Sequence, residues 1–204
     1  MSKQKQKIDI LHKKKMEKLK KNIDASINAA NKQRGIGILL TGNGKGKSTS
    51  AFGMVIRSLG YDHKVGIVQF IKGQQLSGEE IYIRDKCPSV TFYQMSTGFT
   101  WETQDRSIDI AAAEKSWSLA KKMLQDDNYD LVVLDELTYM LSFKYLDEGK
   151  IIQALKNRPI HQSVVVTGRG GGAALKDWAD TVSEIKATKH AYNQGIMARK
   201  GVDL

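Results

Sequence analysis

Apolar residues fall into short, nearly unbroken runs along the chain, with stretches of helical spacing between them. The runs are GIGILL (35–40), KVGIVQFI (64–71), VTFYQM (90–95), DLVVLDE (130–136), QSVVVTG (162–168) and a weaker TVSEI (181–185). Their length and β-branched content predict strands. The intervening segments predict helices over about 47–59, 78–86, 106–125, 148–156 and 173–178. Strands that are apolar along most of their length suit a parallel sheet buried on both faces, so the expected fold is α/β: a three-layer, doubly wound, mainly parallel sheet. Such sheets bind ligands outside the carboxyl ends of their strands. That rule points to Thr41–Thr49, Gln69–Gly73, Thr97–Thr103, Asp135–Glu136 and Thr167–Gly170.

Residues 1–34 break the pattern. Met16, Leu19, Ile23, Ile27 and Ala30 recur at spacings of three and four, which predicts an amphipathic helix. We therefore divide the chain into a basic helical segment, 1–34, and an α/β domain, 35–204. The formal charge is +10, and residues 1–34 account for +8 of it with eleven Lys and Arg against three Asp and Glu. Basicity is thus a property of the segment, not of the domain. Three roles fit a helix of this kind: packing on the body or a partner subunit, covering an anionic ligand, or contacting nucleic acid or a membrane surface. Its apolar side is thin and carries no Trp or Phe, which argues against membrane insertion.

At 204 residues, 41% hydrophobic and 26% charged, the composition suits one soluble globular core. No apolar run approaches the roughly 20 residues that span a bilayer, and no signal-peptide core follows the N-terminal lysines. Cys87 stands alone, and His12, His63, His161 and His190 are scattered, so neither a disulfide nor a structural zinc or iron–sulfur site is expected. A cytoplasmic setting follows.

The stretch LLTGNGKGKSTSAFG, 39–53, joins the first strand to a helix. Gly42, Gly44 and Gly46 let the backbone turn tightly with its N–H groups inward, and the helix beginning near Lys47 adds its positive end. Lys47 supplies charge for phosphate oxygens, and the Ser48 hydroxyl can complete a Mg²⁺ shell. Thr49 follows on the first helical turn, and Lys45 reads equally as a second phosphate contact or a solvated loop charge. The usual phosphate-loop spacing would place a glycine at position 41, where this chain has Thr41. Gly42 can serve for the tight entry, and the strand before and helix after supply the required context.

LVVLDEL ends an apolar strand in two carboxylates, Asp135 and Glu136. Near a phosphate loop, one such acid orients Mg²⁺ and a neighbour can activate water. Together the two segments imply a magnesium nucleotide, leaving ATPase, kinase and nucleotidyl or adenosyl transferase open. A RecA-like ATP-dependent nucleic-acid-binding protein is the rival from another class. Arg169, in TGRG at a strand end, is either a phosphate or substrate contact or a surface residue. Phe99 and Trp101, two apart in a glycine-containing loop, are either packing anchors or a ligand wall.

GNGKGKSTSAFG, VGIVQFIKG, TGFTWETQD, VVLDELTYML and VVVTGRG, in that order and spacing over about residues 35–190, resemble the ATP:corrinoid adenosyltransferase family of the cob(I)alamin type, with its RecA-like P-loop fold. GFTWET with DELTYM is far more specific than the loop alone. The resemblance implies transfer of the 5′-deoxyadenosyl group of ATP to cobalt(I) of a reduced corrinoid, with release of intact triphosphate. It implies ATP and a corrinoid, cob(I)alamin or cob(I)yrinic acid a,c-diamide, as substrates. Mg²⁺, with Mn²⁺ as the alternative, would be held by Ser48 and Glu136, Asp135 being a further candidate. Gly42, Asn43, Gly44, Lys45, Gly46, Lys47, Ser48, Thr49, Arg57 and Arg169 are the expected nucleotide contacts, with Asn43 and Arg57 toward the nucleoside end. Lys47, Glu136, Phe99 and Trp101 are the expected catalytic set, the aromatic pair crowding the lower face of the corrin and displacing its axial ligand. The nucleotide is expected to lie reversed in the loop. A homodimer whose N-terminal helix helps cover an active site, and a transient flavoprotein reductant, complete the implied partners; nucleic acid is not among them.

Overall fold

The computed structural model describes residues 3–71, 76–95 and 105–203, with side chains from residue 5 onward. The chain forms two compact units, Met1–Gln33 and Arg34–Leu204. In the first, helix α1 spans Lys3–Ala29, which leaves Ala30 just past its end. Met16, Leu19, Ile23 and Ile27 are all exposed on it. Arg34 falls in the second unit, one residue earlier than the sequence boundary, because its guanidinium donates to the carboxylate of Asp180 and to the Gly35 carbonyl.

The second unit is built on six strands: β1 (Gly37–Thr41), β2 (Val65–Gln69), β3 (Thr91–Gln94), β4 (Leu131–Asp135), β5 (Ser163–Thr167) and β6 (Thr181–Glu184). They lie in the order β3-β2-β4-β5-β1-β6, and every pairing is parallel. Between them run helices α2 (Lys47–Leu59), α3 (Gly78–Lys86), α4 (Arg106–Gln125), α5 (Leu137–Ser142), α6 (Glu148–Lys156) and α7 (Gly172–Trp178). A 3₁₀ turn at Ala191–Gln194 follows β6. The fold is the expected three-layer α/β sheet.

Alternation along the strands builds both layers. On β4, Leu131 and Val133 pack with Ala51, Phe52 and Val55 of α2 and Ile83 of α3. Val132 and Leu134 face the other way, with Ala120 and Leu124 of α4, Ile151 and Leu155 of α6 and Leu175 of α7. Both faces are therefore buried, and each fully covered aliphatic side chain contributes roughly 1.5–3 kcal/mol.

Local chemistry fixes the helix starts. The Ser77 hydroxyl accepts from the Glu80 amide, the Asp105 carboxylate from the Ser107 amide and the Asp147 carboxylate from the Lys150 amide, each relieving one of the unpaired donors at a helix N-terminus. Helix α5 was not predicted. Six residues are too few to show a period, and the helix starts directly after Glu136 without an intervening turn sequence.

Candidate active site

The loop between β1 and α2 shows why Thr41 stands where a glycine is usual. Thr41 is the last residue of β1, paired with Glu184 of β6, and is buried. Its hydroxyl donates to the Gly170 carbonyl, tying the strand end to the loop that carries Arg169. The sharp turn begins one residue later. Gly42 has φ +102°, and a Cβ there would lie 2.4 Å from the Ile185 carbonyl oxygen. Only glycine meets both conditions. The Gly44 amide donates to the same carbonyl at 2.7 Å, and Asn43 Oδ1 accepts from the Ala187 amide at 3.1 Å. The loop is thus sewn to the chain leaving β6.

Lys47, at the start of α2, is only 8% exposed, and its ammonium donates to the Gly44 carbonyl at 2.8 Å. Burial pushes its pKa down, Glu136 and Asp135 pull it back up, and Arg169 adds to the depression. Such a cation is poorly solvated and aimed by its own loop, ready for an anion to take the place of the missing water.

The two carboxylates of the β4 end are differently placed. Asp135 is buried: Thr167 Oγ1 donates to its Oδ1 at 2.6 Å and Gln69 Nε2 to its Oδ2 at 2.8 Å. Three adjacent strand ends, β2, β4 and β5, are linked through this one side chain. Glu136 takes a left-handed backbone, φ 59°, with its amide donating to Thr167 Oγ1 at 2.9 Å. For a residue with a Cβ this conformation costs about 1 kcal/mol or more and recurs at functional sites. It turns Glu136 into the crevice beside the loop, while Asp135 stays behind it.

That crevice, of about 750 Å³, brings together Asn43, Gly44, Lys45, Gly46, Lys47, Ser48 and Thr49 with Glu136 and Arg169. Gly42, Asn43 and Arg169 also line an adjoining hollow beside β6. Arg169 is positioned from behind, its carbonyl accepting from Thr138 Oγ1 of α5 at 2.9 Å. Arg57, by contrast, is exposed in the last turn of α2 and does not line the crevice. Phe99 and Trp101 lie outside the described residues.

Sequence reasoning missed part of the lining: Ser77, Gly78 and Glu79 at the start of α3, then His190 and Gly201–Asp203 beyond β6. It also gave no role to Thr167 or Gln69, although the strand-end rule reached both. His190 and Asp203 carry no local signal, since only the fold brings them to a loop more than 140 residues earlier.

A family model described as ATP:corrinoid adenosyltransferase BtuR/CobO/CobP matches residues 33–204. The chain belongs to this family. The corrinoid adenosyltransferase of Pseudomonas aeruginosa is 48% identical over 195 residues, covering 96% of each protein. That of Salmonella typhimurium is 47% identical and that of Escherichia coli 45%, each covering 96% of this chain and 98% of the relative. Membership makes this adenosyltransferase an ATP- and corrinoid-using enzyme and sets the chemistry against which the crevice is read. Among the described residues no helix is long and apolar enough to cross a membrane.

Proposed function

We propose that the 42–49 loop grips the polyphosphate of ATP while the 5′ carbon is presented to cobalt(I) of a reduced corrinoid, the family's adenosyl transfer. A cobalt–carbon bond forms as the bond from C5′ to the α-phosphate oxygen breaks, and triphosphate departs with the electron pair on that oxygen. Cobalt(I) is itself the nucleophile, so no general base is needed. The chain's task is to receive charge on the leaving oxygen. The observation that carries the reading is the buried, loop-aimed ammonium of Lys47 sharing one crevice with Glu136 and Arg169.

The donors present suit a hard divalent cation. Among the described residues no cluster of three or more His, Cys, Asp or Glu side chains is arranged to hold a metal. Mg²⁺, or Mn²⁺ in its place, would be shared between the Ser48 hydroxyl, the Glu136 carboxylate and the nucleotide itself. Bound there, it would offset charge on the polyphosphate. Asp135, with both oxygens already accepting hydrogen bonds, acts through Thr167 to hold the Glu136 backbone.

The remaining parts of the reading rest on the family resemblance. ATP lies reversed in the loop, with Asn43 and Arg57 toward the nucleoside. Phe99 and Trp101 form the apolar floor that displaces the lower axial ligand of the corrin, which eases reduction of cobalt(II). The enzyme works as a cytoplasmic homodimer, with a flavoprotein as electron donor.

Incubation of the protein with ATP, Mg²⁺ and cob(I)alamin tests the core of this. A photolabile cobalt–carbon product and stoichiometric triphosphate are expected. ADP and orthophosphate without that product would refute it. For the aromatic pair, Trp101→Ala is expected to lose more activity with cobalt(II) and a reductase than with chemically prepared cobalt(I); equal losses would contradict the assigned role.

A further inference from the structure

The chain beyond β6 has no part in the chemistry above, yet it forms one wall of the phosphate crevice through His190 and Gly201–Asp203. It reaches that wall in a tight turn. The amides of Val202 and Asp203 donate to the Arg199 carbonyl at 3.2 and 2.8 Å, and Gly201 takes φ +80°. The Arg199 amide donates in return to Asp203 Oδ2 at 3.0 Å. The carboxylate is therefore fixed by its own turn rather than swinging free. Its other oxygen, Oδ1, lies 3.0 Å from the ammonium of Lys45, a loop lysine lining the same crevice, and the two side chains are 29% and 44% exposed.

Glu79 and Glu136 line the crevice as well, but a carboxylate seated on a lysine of the phosphate loop is at odds with a pocket for polyanions. The glycine-rich loop, Lys47 and Arg169 all favour negative charge, while Asp203 pairs with Lys45, a partly exposed lysine of the same loop. We propose that Asp203 is a built-in competitor of the polyphosphate for Lys45, a positioning residue that weakens retention of phosphate in the loop. An incoming polyphosphate must draw Lys45 away from Asp203. On departure Asp203 recovers its partner. The effect falls most heavily on free triphosphate, which carries the full polyanionic charge of the cleaved nucleotide and would otherwise hold the loop after turnover.

This inference rests on the loop holding polyphosphate, and the test separates the two. Binding of inorganic tripolyphosphate to the 204-residue chain is measured by calorimetry for wild type, Asp203→Asn, Lys45→Gln, the double variant and Lys47→Ala. Asp203→Asn is expected to bind about three- to fivefold more tightly at low salt, the range set by a partly exposed ion pair. The gain should shrink in about 0.5 M salt, as screening predicts, and vanish in the Lys45→Gln background, which a merely structural role for the tail would not produce. Unchanged or weaker binding by Asp203→Asn, or the same gain without Lys45, overturns the proposal. If Lys47→Ala abolishes binding while Asp203→Asn changes nothing, the loop reading stands and this inference falls. If wild type binds no tripolyphosphate, both fall.

Discussion

Lys47 is held almost out of water by its own loop, so its removal should separate function from stability. Lys47→Ala is expected to lower kcat/KM for adenosylation of cob(I)alamin by about 10²- to 10³-fold, the range for losing one aimed electrostatic contact. Its melting temperature should hold or rise, because the substitution also removes a poorly solvated cation. Thr167 is the opposite case. Its hydroxyl donates to Asp135 and accepts from Glu136, so Thr167→Val strands a buried carboxylate oxygen and an amide together. A loss of about 1–3 kcal/mol in urea denaturation is expected, with activity falling too as Glu136 loses its anchor. At this scale the sequence is uneven. Lys47 and Ser48 announce themselves by their spacing in the glycine-rich loop, and Glu136 by the acidic pair that ends an apolar strand, because phosphate and Mg²⁺ chemistry asks for those residue types in those settings. Thr167 and Gln69 are ordinary strand residues until the fold sets them against Asp135, and nothing local distinguishes them. Arg57 matches a motif position, yet lies ten residues along α2 from Lys47, far down the helix from the loop.

Elements carry their own expectations. The corner where β1 meets β6 is held by Asp180, which accepts from the Arg34 guanidinium and from the Gly37 amide at 2.8 Å. The Arg34 and Gly37 donors hold its pKa down at about 2. A carboxylate depressed on folding stabilises fully above its unfolded value, near 4, and that contribution is lost as the pH falls toward 2. Asp180→Asn should therefore lower the unfolding free energy read from urea denaturation at pH 7, by an amount nearer about 1 than about 3 kcal/mol given its exposure, and the gap to wild type should close between pH 4 and 2. A gap independent of pH would show that the Asp180 charge is immaterial. The phosphate-loop turn is less forgiving. Gly42→Ala meets the Ile185 carbonyl at 2.4 Å and is expected to shift β6 and cost ATP binding at least tenfold, read by calorimetry. Strands were legible to within two residues because unbroken β-branched runs have few other uses. Helix α5 was not, being a single short stretch whose existence depends on the left-handed turn at Glu136. That Thr41 closes a strand instead of opening a loop also needed the pairing with Glu184, a contact across more than 140 residues.

For the molecule as a whole, every residue of the two core clusters belongs to Arg34–Leu204. Removing residues 1–33 is thus expected to leave the melting temperature within a few degrees, measured by circular dichroism, while reducing turnover with corrinoid if α1 covers an active site. Loss of cooperative melting on truncation would show instead that the helix is needed for the fold. Met16, Leu19, Ile23 and Ile27 are exposed and would be available to a second copy in the homodimer proposed above, for which light scattering should give twice the monomer mass. The all-parallel order sets one further constraint. Strand β1, first of the sheet to be made, has as its neighbours β5 and β6, both from the last quarter of the chain. On a ribosome the phosphate loop accordingly has no flanking strands to lean on until residues 163–184 have emerged, so nucleotide cannot act as an early nucleus, and a stalled product lacking β6 should be a target for chaperones rather than a partial enzyme.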